Sequence, residues 1–315
     1  MTSRGAIQQA MVLGTLVVLV GFFAAMRPAF ITWGNISSLL LAAVVTALQA
    51  IGLTFVIATG GIDLTPGLGM AATAVVAALV MTGLGMPIWV GVLAGVLSGA
   101  VLGFLNGVLV ARVRMQPMIA TLSMMMVCWG AALVLSGGRN LSLRGVAGYD
   151  QLAIGEVIPG LYNAVLILAV LAVIAGVLMR KTVIGRYALA IGSNKEATRV
   201  SGVNTVRWEV LAYVICGCFT GISGVIMSSR LSAAVPTTGQ GYEMYAIAAA
   251  VIGGTSLRGG RASVSGAVIG AVTIQTIFNG LTVMGVQDQW QKLVLGAVLL
   301  IAVCVDIVRR GGKEE

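Results

Sequence analysis

The feature that most constrains this chain is a succession of long apolar runs, nearly devoid of charge, from residue 8 to residue 305. The runs lie near 8–26, 37–58, 66–86, 88–111, 117–136, 161–179, 210–228, 244–257, 264–284 and 290–305. About 20 mostly apolar residues in helical form cross the hydrocarbon of a bilayer. Backbone amides find no water there, so helices that satisfy their own hydrogen bonds are the natural solution. The expected fold is an all-α polytopic membrane bundle of about ten spans, one transmembrane domain over 1–315. The eighth run is short and rich in glycine, and reads as a half-span or a broken helix. The first run exceeds the apolar stretch of about 7–15 residues in a signal peptide, and no small-x-small cleavage pattern precedes Arg27-Pro28. It reads as a retained span.

Charge supports the same picture. Only 9% of the residues are charged and 58% are apolar, whereas a soluble domain carries roughly a quarter charged. Threading ten spans with the N-terminus inside puts 14 Lys and Arg on the inner side and 5 on the outer. That bias follows the positive-inside rule and places both termini in the cytoplasm. The net charge of +9 is thereby topological. No aromatic residues interleave a basic groove, so nucleic acid is not an expected partner.

Several chemistries are excluded. Histidine is absent, which removes a Ser-His triad, a histidine base and a histidine metal site. No G-x-x-x-x-G-K-[ST] loop occurs, so the chain does not cradle ATP phosphates itself. The spans hold no paired carboxylates and no nucleophile beside a base. The four cysteines, Cys128, Cys216, Cys218 and Cys304, lie inside apolar runs without metal-type spacing and read as packing residues. No metal, no cofactor and no catalytic residue is expected on this chain.

Three local patterns remain. Gly91, Gly95, Gly99, Gly103 and Gly107 recur every fourth residue, a ridge that drifts about 40° per step and permits close helix crossings. The fourth span is therefore expected to be buried among neighbours and away from lipid. Gly60-Gly61-Ile62-Asp63-Leu64 and Gly253-Gly254-Thr255-Ser256-Leu257 each follow an apolar run and precede a new span, a weak internal repeat of the kind seen at broken helices. Asp63, ahead of Thr65-Pro66, fits either a helix start or a ligand role. The third pattern is the polar stretch 180–209. Ser193 with Glu196 fits a capping box and Gly202 a left-handed C-cap, which predicts a two-turn helix over 194–201. A helix that short does not persist alone in water, so it either docks on a partner or is a solvated connector. Arg230, Glu243, Asp288 and Lys292 are expected at the outer interface, with an Arg230–Glu243 pair tying an outer loop or contacting a delivery protein.

Four segments carry a resemblance: TGGIDLTPG (59–67), MQPMIATLSMM (115–125), GRYALAIGSNKEATRVSGVN (185–204) and PTTGQGYEMYAIAAAVIGGTSLRGG (236–260). In this order, and from about residue 28 onward, the chain resembles the membrane permeases of bacterial ribose-type ABC importers, within the branched-chain amino acid/ribose permease superfamily. Members usually carry IDLSVGS where this chain has Ile62-Asp63-Leu64-Thr65-Pro66-Gly67-Leu68. The resemblance implies an inner-membrane permease paired with a second copy or a related permease. It further implies an ABC ATPase, often tandem-fused, that supplies ATP and Mg chemistry, and a periplasmic solute-binding protein. It also implies that 180–209 is the ATPase-coupling loop, through Gly185, Arg186, Gly192, Asn194, Glu196, Ala197, Arg199 and Gly202, with Thr198 where the family signature has Ala.

The expected function is thus passage of a sugar or sugar-like solute of the ribose or pentose type, driven by separate ATPase subunits. Gln49, Asp63, Asn106, Gln275 and Asn279 are candidate path residues, as polar groups within apolar runs. Autoinducer-2 is the alternative solute within the family. The alternative class is an ion-coupled secondary transporter with Asp63 as the coupling carboxylate.

Overall fold

A computed structural model describes residues 3–287, 289–294, 296, 297 and 300. The tenth apolar run falls partly outside the described residues, as do Asp288, Cys304 and the basic C-terminal segment. The helices are α1 (Ser3–Met26), α2 (Trp33–Ala58), α3 (Pro66–Thr82), α4 (Ile88–Ala111), α5 (Pro117–Ser136), α6 (Gln151–Ile154), α7 (Asn163–Lys181), α8 (Val183–Ser193), α9 (Lys195–Val200), α10 (Thr205–Leu231), α11 (Tyr242–Ile252) and α12 (Val264–Val283). Six of them, α2, α4, α5, α7, α10 and α12, are long and apolar enough to cross a membrane. Two-residue strands β1 (Leu141–Ser142) and β2 (Ala233–Ala234) pair antiparallel. The chain is thus a helical, multi-pass membrane protein.

Helix starts follow local chemistry. Pro66 opens α3 and Pro117 opens α5, where the missing amide proton is no loss and the fixed φ suits the helix. At the far end of α10, Tyr149 is buried with its hydroxyl 2.7 Å from Ser228 Oγ, and Ser229 Oγ donates to the Tyr149 carbonyl at 2.7 Å. These bonds fasten the connection between α5 and α7 across one end of the bundle. The opposite end carries the basic residues around α8 and α9.

The glycine ridge of α4 packs on α10, which has its own small residues. A Cβ on Gly99 would collide with the Gly217 carbonyl, one on Gly103 with the Tyr213 carbonyl, and one on Gly221 would lie 2.6 Å from the Gly95 carbonyl. Backbone meets backbone along this seam. The expectation for α4 needs one correction. Only its glycine face is buried; Trp89, Leu93, Leu97, Val101 and Phe104 on the other face are exposed. The ridge winds from α3, which Gly91 and Gly95 meet, to α10, which Gly99, Gly103 and Gly107 meet, and these two neighbours cover one side only. By contrast α2 is buried along most of its length, between α10, α11, α12 and α7.

The eighth run is indeed a short helix. α11 has 11 residues, about 16 Å of rise, and reaches only part-way across the bundle. The first turn of α3 sits beside the middle of α10, since a Cβ on Gly69 would lie 3.3 Å from the Thr220 methyl. α2 and α3 are therefore separated by a non-helical stretch, 59–65, that runs back into the bundle. α11 and α12 are separated by 253–263, and here the two helix ends lie against each other, since a Cβ on Gly266 would collide with the Gly253 carbonyl.

Candidate functional site

Two groups of functional candidates lie at different depths, and the first is the basic end. Asn194, not Ser193, caps α9: Asn194 Oδ1 accepts from Ala197 N at 2.9 Å. The helix is Lys195–Val200, shorter than 194–201, because Ser193 is already the last residue of α8, its hydroxyl donating to the Leu189 carbonyl at 2.8 Å. Glu196 does not reach back; its carboxylate accepts from Arg199, which holds the Glu196 carboxyl below its ordinary value. Gly202 is left-handed at φ +85°. Its amide bonds Arg199 O at 3.0 Å, and Val203 N bonds Thr198 O at 3.4 Å, which is the Schellman arrangement. Thr198 is buried and returns its hydroxyl to Asn194 O at 2.8 Å, so threonine fits where the related signature has alanine.

Distant residues hold this short helix still. Lys195 Nζ lies 2.8 Å from both carboxylate oxygens of Glu209, a buried residue on α10. Tyr187 of α8 packs on Trp208 with centroids 4.9 Å apart, and the Arg207 guanidinium stands over the same indole. Asn204 Oδ1 caps α10 through Arg207 N at 3.1 Å. The result is a rigid platform that presents Glu196, Ala197, Arg199 and Val200 outward. Val200 is 78% exposed, an apolar side chain on a polar ledge. Neither Val200 nor the Lys195–Glu209 tie was legible in spacing alone, since 14 residues and a loop separate the pair.

The eight predicted loop residues divide. Arg186, Asn194, Glu196, Ala197, Arg199 and Gly202 are exposed on the platform. Gly185 is buried in the α7–α8 corner, where a Cβ would collide with the Met179 carbonyl. Gly192 also turns inward. A Cβ there would collide with the Ala58 carbonyl and lie 2.5 Å from Gly260 N and 2.9 Å from Gly259 Cα. Gly260 N donates to Ala58 O at 3.0 Å, and a Cβ on Gly259 would lie 2.9 Å from Gly60 N. The end of α8 thus touches both interrupted segments at once, and those segments touch each other.

The second group lies deeper. Asp63 is buried, accepting from Thr65 N at 2.9 Å and from Asn106 Nδ2 at 3.3 Å. Asn106 Nδ2 also donates to Thr65 Oγ1 at 2.6 Å, and Thr121 Oγ1 lies 3.3 Å from Ile62 O. Asp63 is not the N-cap of α3, which is Thr65; its carboxylate accepts from Thr65 N in the turn that precedes the helix. Gln49 is buried and donates to Pro66 O at 3.1 Å. Gln275 donates to Thr46 Oγ1 at 3.1 Å, and Asn279 exchanges amide bonds with Asn35 at 2.8 and 2.9 Å. Gln49, Asp63 and Asn106 therefore meet around the start of α3, while Gln275 and Asn279 lie along α12.

Glu243 corrects an expectation. It makes no ion pair with Arg230 and is buried, with its Oε2 against Gly67 and that one oxygen without a hydrogen-bond partner. The reason is that α11 begins inside the bundle instead of at its surface. Among the described residues no group of His, Cys, Asp and Glu has the arrangement of a metal site. Cys128, Cys216 and Cys218 are unpaired.

The family model for the permease component of branched-chain amino acid transport systems matches residues 35–303. The chain is 38% identical to the ribose import permease protein RbsC of Escherichia coli (strain K12) over 294 residues, 92% of this chain and 91% of that one. It is 39% identical to RbsC of Bacillus subtilis (strain 168), over 92% of this chain and 90% of that one. It is 35% identical to the L-arabinose ABC transporter permease protein AraH of Azospirillum brasilense, over 96% of this chain and 89% of that one. No solved structure matches it.

Proposed function

The chain belongs to the family of branched-chain amino acid transport system permease components, and from that premise we propose that it is the membrane permease subunit of an ATP-driven importer of a sugar. The relatives named for ribose and L-arabinose support the solute class, with a pentose as the first candidate. ATP is bound and hydrolysed by a separate ABC ATPase, since this sequence has no phosphate-binding loop. A periplasmic binding protein delivers the solute and a second permease completes the pathway. The basic end faces the cytoplasm of a bacterial inner membrane.

The observation that carries this reading is the platform at the basic end. A two-turn helix capped at both ends, tied by Lys195–Glu209 and showing Val200 and the Glu196–Arg199 pair, is built to be gripped. Arg186, Asn194, Glu196, Ala197, Arg199 and Gly202 form or shape the surface that meets the ATPase. Gly185 and Gly192 act on the inner side of the same element. A push on α9 passes through the end of α8 to Ala58 and to Gly259-Gly260, hence to the end of α2 and to the stretch between α11 and α12 at once. Packed backbone deforms little, so such a junction relays displacement between discrete arrangements. The solute path runs beside the interrupted segments, with Gln49, Asp63 and Asn106 controlling the start of α3 and with Gln275 and Asn279 along α12.

The test is reconstitution of the chain with the ATPase and binding protein encoded beside it. The expected result is sugar uptake that stops on ATP depletion and persists without an ion gradient. Uptake driven by an ion gradient in ATP-depleted vesicles would refute the proposal in favour of a secondary transporter.

A further inference from the structure

Two interrupted helices meet half-way through the bundle, and a carboxylate lies at the meeting point. β2 leaves one end of the bundle, and residues 235–241 then run without helix until α11 opens at Tyr242. This segment descends beside the first turn of α3: a Cβ on Gly239 would collide with the Gly67 carbonyl and lie 2.7 Å from Met70 Cε. Gly69 in the same turn touches Thr220, near the centre of α10, which sets the depth. Glu243 Oε2 points at Gly67, so close that a Cβ there would overlap it. The N-termini of α3 and α11 therefore flank one carboxylate, and their dipoles favour negative charge.

Two acceptors at this place have no partner. Glu243 is 7% exposed and Gln49 is 1% exposed, and Glu243 Oε2 and Gln49 Oε1 accept nothing. Both side chains reach the same turn, Gln49 through Nε2 to Pro66 O at 3.1 Å and Glu243 against Gly67. A buried acceptor left unpaired is destabilising, so such groups call for an explanation. Thr237 and Gln240 of the covering segment are exposed, although the backbone around them is irregular and half-way down the bundle. Irregular backbone at that depth is tolerated only against protein or beside a wet cavity. Gly239 at φ +99° and Gly241 at φ +89° flank Gln240, giving the segment two points at which to swing.

We propose that Glu243 and Gln49 form a solute-contacting site in the passage, accepting hydrogen bonds from the hydroxyl groups of a neutral polyhydroxylated solute when 237–241 moves off Gly67. The inference rests on the permease reading and deepens it. Glu243 Oε2 and Gln49 Oε1, both without a partner, suit a ligand that brings donors. Glu243 lies in the first turn of α11 and Gln49 within α2, so both are held on helices.

The test uses the complete transporter in proteoliposomes with d-ribose, L-arabinose and d-allose as probes. Glu243→Gln keeps the shape and loses the charge-assisted bonds, so uptake of the transported sugar is expected to fall about tenfold, while co-purification with the ATPase and its basal hydrolysis stay at the unaltered level. Equal uptake by the variant overturns the site and leaves the permease reading standing. Absence of ATP-driven uptake of all three sugars by the unaltered protein overturns both. A measurement on the unaltered chain is independent of folding: dicyclohexylcarbodiimide, which modifies membrane-buried carboxylates, is expected to label the Glu243 peptide, and severalfold less during sugar turnover. Labelling that sugar leaves unchanged, or no labelling, overturns the site.

Discussion

Gly192→Ala tests the relay between the platform and the interrupted helices. The added Cβ would overlap the Ala58 carbonyl and stand 2.5 Å from Gly260 N and 2.9 Å from Gly259 Cα. Ordinary contact begins near 3.5 Å, so the junction must open by about 1 Å. Overpacking of this kind is destabilising by about 1–3 kcal/mol. The Gly260–Ala58 bond of 3.0 Å lies in the path of the displacement, and its loss adds about 1 kcal/mol. The strain falls on the junction alone, since Glu196, Ala197, Arg199 and Val200 all point away from it. A bias of about 1.4 kcal/mol against the engaged arrangement lowers its population about tenfold. The assay is sugar transported per ATP hydrolysed in the reconstituted complex, alongside co-purification of the ATPase. The expected outcome is retained ATPase binding and hydrolysis with several-fold less sugar moved per ATP. A variant that keeps the unaltered ratio, or loses ATPase binding while Glu196 and Arg199 remain, would refute the reasoning.

Asn194→Ala removes the cap on Ala197 N; a lost cap is destabilising by about 1 kcal/mol, so affinity for the ATPase should weaken about fivefold in a titrated pull-down. Gly99→Leu drives a side chain into the Gly217 backbone and is expected to abolish folded protein, by about 3 kcal/mol or more, whereas Leu97→Ala on the exposed face of α4 should leave the melting temperature in detergent nearly unchanged. Asp63→Asn keeps an acceptor for Thr65 N and Asn106, so ATP-driven uptake should survive; loss of uptake from a well-expressed variant would favour an ion-coupling carboxylate.

The span pattern was legible because the requirement behind it is local. Each crossing helix must satisfy its own backbone and carry its own apolar surface, so a run such as 88–111 or 117–136 marks its helix unaided. Caps are local as well, and the short helix near 195 announced itself, although the choice between Ser193 and Asn194 did not. That choice depends on how far α8 extends, which Tyr187 on Trp208 and the glycine contacts at its end decide. The lateral seam of α4 was visible as spacing, but spacing does not say how many sides are covered.

The sequence by itself determined a membrane bundle with a basic polar stretch and a short capped helix, because hydropathy, charge clustering and capping act within a few residues. Only the tertiary structure decided which polar groups share a place. Glu243 near the start of a short apolar helix read as an interfacial charge, yet it lies against Gly67, far away in the chain. Gly192 read as a contact for a partner, yet it fills the gap between Ala58 and Gly259. Whether a side chain reaches water, a partner or the interior depends on the depth at which its helix begins, and that depth is set by packing between segments remote in sequence.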